Sequence, residues 1–132
     1  MQQYKLRVKN DSITEARRYL SNAREILRTK AGNGVPGYYN DKKYVKMACN
    51  TAWSGVLVAM DAHVAPLKKN SRKSVDTYKE FLSTKIRKVL NDFVSAYNYL
   101  HLLGGYDGDL NKKTAQTGLA LAEEIIAWCR KN

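Results

Sequence analysis

The chain has 132 residues, 27% of them charged, with 23 Lys and Arg against 12 Asp and Glu for a net charge of +11. That length fits one domain, residues 1–132, which buries roughly two-thirds of its unfolded surface and needs neither disulfide nor metal to fold. The charge favours an anionic partner, whether a nucleic acid, RNA or DNA, or an acidic protein. No run of about 18 apolar residues and no charged-then-apolar leader is present, so no membrane partner is expected and a cytoplasmic location is.

Met1 to Lys9 is polar and basic, and residues 1–11 read as a frayed tail. Ser12 and Glu15 form a capping box, so the first helix is expected over 12–30. Ile13, Ala16, Leu20, Ala23 and Leu27 recur at three- and four-residue steps and make its apolar face. Gly32 stops it, because glycine takes the left-handed cap conformation without steric cost. Residues 31–40 are a loop with three glycines and Pro36.

Asn40 or Asp41 caps a second helix over 41–65. Tyr44, Met47, Ala48, Thr51, Ala52, Gly55, Val58, Ala59 and Ala62 form one stripe, and Trp53, Val56, Leu57 and Met60 make most other faces apolar. A helix apolar nearly all round is central and is the most buried. Pro66 ends it, since the residue before proline disfavours the helical region.

Pro66 to Lys73 is a basic loop, and Ser71 or Ser74 caps a third helix over 74–103. Val75, Tyr78, Leu82, Ile86, Val89, Phe93, Ala96 and Leu100 run through it without a breaker until Gly104-Gly105. Asp109 or Asn111 caps a fourth helix over 109–130, with Gly118, Leu119, Leu121, Ala122, Ile125, Ile126 and Cys129 on its apolar face. The reading is all-α, an up-and-down four-helix bundle with short connections. Cys49 and Cys129 sit inside apolar patterns and are expected as reduced, buried thiols.

That topology gives the two ends different chemistry. One collects Lys5, Arg7, Lys9, Lys68, Lys69, Arg72, Lys73, Arg130 and Lys131. Lys68, Lys69, Arg72 and Lys73 are the candidate anion or nucleic-acid contacts, giving salt-dependent, sequence-independent attraction. The other end collects Tyr38, Tyr39, Tyr44, Tyr97, Tyr99, His101, Tyr106, Asp107 and Asp109 around glycines. Tyr38, Tyr39, Tyr97, His101, Tyr106 and Asp107 are the candidate ligand residues, since tyrosine both stacks and hydrogen-bonds. His101 is the one candidate general acid or base. A ribonuclease reaction there would also need a cation near the scissile phosphate, and with no arginine placed for it Lys112 or Lys113, at the start of the fourth helix, would have to substitute.

Several constellations are missing. His63 and His101 have no helical metal partner, and Asp107, Asp109 and Asn111 lack the terminal glutamate of a calcium loop. No phosphate-cradling glycine loop, Gly-x-Ser-x-Gly or HExxH occurs. No cofactor or metal is expected.

The run Tyr44 to Ala62, the long helix after it, the turn Leu103-Gly104-Gly105-Tyr106-Asp107 and the closing Ala122-Glu123-Glu124-Ile125-Ile126-Ala127-Trp128 together resemble the HEPN superfamily of four-helix bundles. The resemblance implies that fold, dimerisation, and a ribonuclease or nucleotidyltransferase-partner context. Active ribonucleases of that superfamily carry an arginine followed after four to six residues by histidine. Here the arginine preceding His101 is Arg87, fourteen residues away, so catalysis does not carry over. The expected function is a non-enzymatic helical interaction module, as a homodimer or with a protein partner; the alternative is a nucleic-acid-linked HEPN-like protein.

Overall fold

The computed structural model describes residues 2–63, 74–83 and 87–132. It is all-helical. The elements are α1 (Gln2–Thr29), α2 (Lys42–Asp61), α3 (Val75–Ser83), α4 (Arg87–Ala96), a π-helix (Tyr97–Tyr106) and α5 (Lys112–Lys131). Among the described residues the only extended pairings are two isolated bridges, Asn33 with Tyr39 and Tyr38 with Asn111.

The first helix begins ten residues earlier than the capping box suggests, so the basic tail is helical. Nothing between Gln2 and Asp11 breaks a helix, and Arg7 lies 5.6 Å above the Tyr4 ring one turn away. Ile13 is nevertheless the first buried residue among those described, with Tyr4, Leu6 and Val8 exposed. The Ser12 boundary therefore marks where α1 meets the core. At its other end Gly32 adopts φ +69, as its cap role requires.

Asp41 caps α2, accepting from the Lys43 N–H at 3.0 Å. The helix stops at Asp61, short of the expected 65; the expected Pro66 stop lies outside the described residues. Val45, Ala48, Cys49, Ala52, Trp53, Gly55, Val56, Ala59 and Met60 are buried, because α2 packs on α1, α5 and the π-helix. Met47, placed on the inner stripe by spacing, is instead exposed. Small residues set the α1–α2 approach: a Cβ on Gly55 would lie 3.0 Å from the Ala16 carbonyl oxygen.

Over the third predicted helix the described residues form α3, α4 and the π-helix, all helical, with residues 84–86 outside the described set. Ser74 caps α3 by accepting from the Thr77 N–H at 3.3 Å. Tyr78 donates to Asp61 Oδ1 at 2.5 Å, tying α3 to the end of α2. Gly104 and Gly105 do not end the helix, which runs on to Tyr106. They are there for space. A Cβ on Gly104 would meet the Cys49 sulfur, and one on Gly105 would meet the Asn50 side-chain oxygen. The widened turn lets this backbone lie directly against α2.

Asn111 caps α5, accepting from the Lys113 N–H at 3.0 Å. Asp109 shares the work: Oδ1 accepts from the Asn111 N–H at 2.9 Å and Oδ2 from the Thr114 hydroxyl at 2.8 Å. Residue pairings order the helices. Asn33 meets Lys112 and Arg24 meets Glu123, while Met60 meets Cys129.

Candidate functional site

The expected aromatic site divides into three places. The first is a ring stack on the π-helix. Tyr97 and His101 stack with their rings 5.2 Å apart, and Trp53 of α2 closes on both at 5.6 and 6.1 Å. Trp53 is a member that periodicity alone assigns to the core. A π-helix closes hydrogen bonds over five residues and is rare outside functional or strained segments. A step of four residues returns near to one side of it, which brings Tyr97 and His101 together.

Tyr106 and Asp107 form the second place. Tyr106 is 77% exposed, and Asp107 is exposed at the turn where its N–H bonds the Leu102 carbonyl at 2.9 Å. Among the described residues no hydrogen bond or ring contact joins either to His101. The inward-facing acid of this turn is Asp109, and it caps α5.

Tyr38 and Tyr39 make the third place, at the start of α5. The Tyr39 N–H bonds the Leu110 carbonyl at 2.8 Å, and the Lys112 N–H bonds the Gly37 carbonyl at 3.0 Å. Lys112 Nζ lies 5.4 Å above the Tyr39 ring and donates to Asn33 Oδ1 at 2.6 Å. Burial raises the Tyr39 phenol above its ordinary range, with Cys49 a smaller influence. A cleft of about 470 Å³ opens here, lined by Arg24, Arg28, Asn33, Tyr39, Lys112 and Gln116 over Leu27 and Leu119. An adjoining cleft of about 430 Å³ shares Lys112 and Gln116 and adds Tyr38 and Lys113. A more open groove of about 550 Å³ between α3 and α4 offers Lys79 and Glu80 beside Leu90 and Val94, with no aromatic group.

The basic-loop candidates Lys68, Lys69, Arg72 and Lys73 lie outside the described residues. His63 is a packed histidine, with Nε2 at 2.9 Å from the Cys129 carbonyl and its ring 5.6 Å from Trp128. Among the described residues no three His, Cys, Asp or Glu side chains gather as a metal site, and no described helix is long and apolar enough to cross a membrane.

Both thiols are free and buried. Burial pushes Cys49 up to about 12, with Asp109 adding to it, and pushes Cys129 up to about 12 against the opposing pull of Lys9. The thiolate is the reactive form, so a disulfide-exchange reagent at about pH 8 is expected to leave both cysteines unmodified in the native protein and to label both after denaturation. Rapid native labelling of either would refute their burial. The unfolded thiols ionise near 9.0. Their contribution to stability is therefore intact below about pH 9 and is lost as pH rises from there through about 12. Chemical unfolding midpoints measured across that window should fall progressively.

Residues 11–131 match the family described as Domain of unknown function (DUF5618), and the chain belongs to that family. The match begins two residues before Ile13, so the exposed start of α1 lies outside it. A solved structure of a protein of unknown function from Dyadobacter fermentans is similar, at 47% identity over 92% of this chain and 96% of that one, with a TM-score of 0.85. No curated protein matches the chain.

Proposed function

We propose that this chain is a non-enzymatic helical interaction module, an up-and-down four-helix bundle of HEPN-like type, that acts as a homodimer or as the subunit of a partner complex. The observation that carries this reading is a charge-free segment with exposed apolar side chains on a highly charged protein. From Phe93 to Tyr106 fourteen residues pass without an Asp, Glu, Lys or Arg. On that stretch Leu102, Leu103 and Tyr106 are exposed, at 38%, 39% and 77%.

A protein at +11 repels its own copy almost everywhere. Association is least opposed where charge is absent and apolar area can leave water. Glycine-backed packing on α2 fixes the π-helix, so these side chains would enter an interface with little further ordering. Exposed Met47 of α2 lies one turn from Asn50, whose amide holds the Gly105 carbonyl at 3.3 Å, and would extend the same surface.

Light scattering on purified protein is expected to give twice the 15.0 kDa chain mass. A Leu103→Lys variant, changed at an exposed position, is expected to scatter as a monomer with unchanged helical circular dichroism. A wild-type monomer at high concentration would remove the homodimer reading, and an unaltered dimer in Leu103→Lys would move the interface elsewhere.

The net charge supports a second reading, a nucleic-acid-linked HEPN-like protein that binds RNA or DNA through its basic end. Its test is titration with single-stranded RNA at several salt concentrations. The expected result is affinity that falls steeply with salt and falls again when Lys68, Lys69, Arg72 and Lys73 are replaced by glutamate. Absence of binding at low salt would retire it.

A further inference from the structure

We propose that the cleft between α1, the first loop and the start of α5 is a nucleotide site, taking a phosphate monoester joined to a planar ring. It is distinct from the charge-free segment that includes the π-helix and from the basic-loop candidates. Neither reading of the protein's function depends on it.

The cleft places two chemistries side by side. Its floor is apolar, made by Leu27 and Leu119, and the half-buried Tyr39 ring stands beside it. Its rim is cationic. Lys112 Nζ is fixed above Tyr39 by its bond to Asn33 and pairs with no carboxylate among the described residues. An ammonium has three donors, so two N–H groups remain for a phosphate.

Two arginines stand on the same rim, each oriented by a glutamate. Arg24 gives Nη2 to Glu123 Oε2 at 2.7 Å. Arg28 gives Nε and Nη2 to Glu25, at 2.7–3.3 Å. A guanidinium carries five N–H donors, so both keep donors free after these bonds. The glutamates offset part of the positive charge, which leaves Lys112 as the unbalanced cation. Affinity is then modest and depends on the ring as much as on the phosphate.

The backbone N–H groups at the start of α5 are already taken. Those of Lys112, Lys113 and Thr114 bond the Gly37 carbonyl, the Asn111 side chain and the Asn111 carbonyl. The phosphate is therefore held by side chains, with the helix dipole adding its usual preference for an anion. Gln116, one turn beyond Lys112, lines both adjoining clefts and presents a donor and an acceptor. That pairing suits the edge of a base. A volume of about 470 Å³ lies within the range of small-molecule sites, roughly 300–1,000 Å³.

The test is calorimetric titration of the full chain with adenosine monophosphate, guanosine monophosphate, adenosine, inorganic phosphate and a short 5′-phosphorylated RNA. A nucleoside monophosphate is expected to bind saturably at one site per chain, with adenosine and inorganic phosphate each roughly tenfold weaker or worse. Gln116→Glu puts a carboxylate into the cleft from an exposed position, without disturbing the core. It is expected to weaken nucleotide binding by at least about tenfold, and Lys112→Glu by more. Arg130→Glu makes the same charge change as Lys112→Glu at the far end of α5, and is expected to leave the affinity within about twofold.

Equal affinity for the mononucleotide and the RNA terminus would identify a free nucleotide as the ligand. Tighter RNA binding that still depends on Gln116 would identify an RNA 5′ end. Absence of saturable nucleotide binding at millimolar concentration overturns the proposal. So does inorganic phosphate binding as tightly as the nucleotide, or equal losses in Gln116→Glu and Arg130→Glu, since either means general attraction to a basic surface.

Discussion

Replacing Gly104 by valine is expected to destabilise the fold by at least about 3 kcal/mol, a fall of roughly 10 °C or more in Tm for a domain of this size. A side chain there has nowhere to go. Its Cβ would fall on the Cys49 sulfur, with Cys49 Cβ at 2.7 Å and the Tyr99 carbonyl oxygen at 3.0 Å. Two of these neighbours belong to α2 and the third is backbone, so relief requires the π-helix and α2 to separate. Gly104 is not among the glycines with positive φ, and the cost is therefore one of space. Gly37 provides the converse. It sits at φ +86, and a methyl group placed there would have nothing within 4 Å, so Gly37→Ala should cost only the conformational penalty, about 1–2 kcal/mol. Cys49→Ala removes the sulfur and should recover part of the Gly104→Val loss. A double-mutant cycle by thermal denaturation should show coupling of about 1 kcal/mol. A Gly104→Val protein melting within about 3 °C of wild type would show that the π-helix does not rest on α2 as described.

The same glycine pair shows where sequence reasoning succeeds and where it stops. Apolar steps of three and four residues locate the helices and most of the core: Ile13, Ala16, Leu20, Ala23 and Leu27 are all buried on α1, as their spacing requires. Capping chemistry is equally local, and Asp41, Ser74 and Asn111 serve as caps. Gly104-Gly105 reads as a stop because glycine has one local signature and two uses. Whether it ends a helix or admits a neighbour depends on what stands opposite. Here that is Cys49 and Asn50, more than fifty residues away in the chain. The start of α1 fails for a related reason. A capping box marks a good helix start, yet residues 2–11 have helix-compatible sequence and continue upstream of it.

The candidate ligand residues show the limit more sharply. Topology correctly brings the first loop and the turn before α5 to one end, where Tyr38 bridges Asn111. It cannot say which of nine aromatic and acidic groups touch. Tyr97 and His101 stack because they are four residues apart on one helix, and Trp53 joins them from α2. Tyr39 instead faces Lys112, and the arginines that complete that cleft come from the polar face of α1. On sequence alone Arg24 and Arg28 are ordinary solvated charges of an amphipathic helix. Only the placement of α5 beside α1 gives them a shared cavity.

Phe93→Ala is expected to remove about 4 kcal/mol of stability, with Tm lowered by roughly 10–20 °C. Phe93 is fully buried and stands where three elements meet, its ring 5.3 Å from Trp53 of α2 and 5.6 Å from Tyr78 of α3. Truncation removes the apolar transfer free energy of the ring and leaves a cavity between helices that cannot all close upon it. It also removes two aromatic pairs, each contributing about 0.5–1.5 kcal/mol beyond area burial. Natural domains hold only about 5–15 kcal/mol in total, so the loss is a large fraction of the fold's stability. Phe93→Leu keeps most of the volume and should cost about 1.5 kcal/mol or less. The damage should also be local in order. α3 is held by Tyr78, through its ring on Phe93 and its hydroxyl on Asp61, and among the described residues no ring partner of Phe93 lies on α1. Amide exchange in Phe93→Ala should therefore rise first over Val75–Ser83 and last over the buried part of α1. Uniform loss of protection at a cost below about 1 kcal/mol would mean that the three rings do not form the joint that fixes α3 and the π-helix against α2.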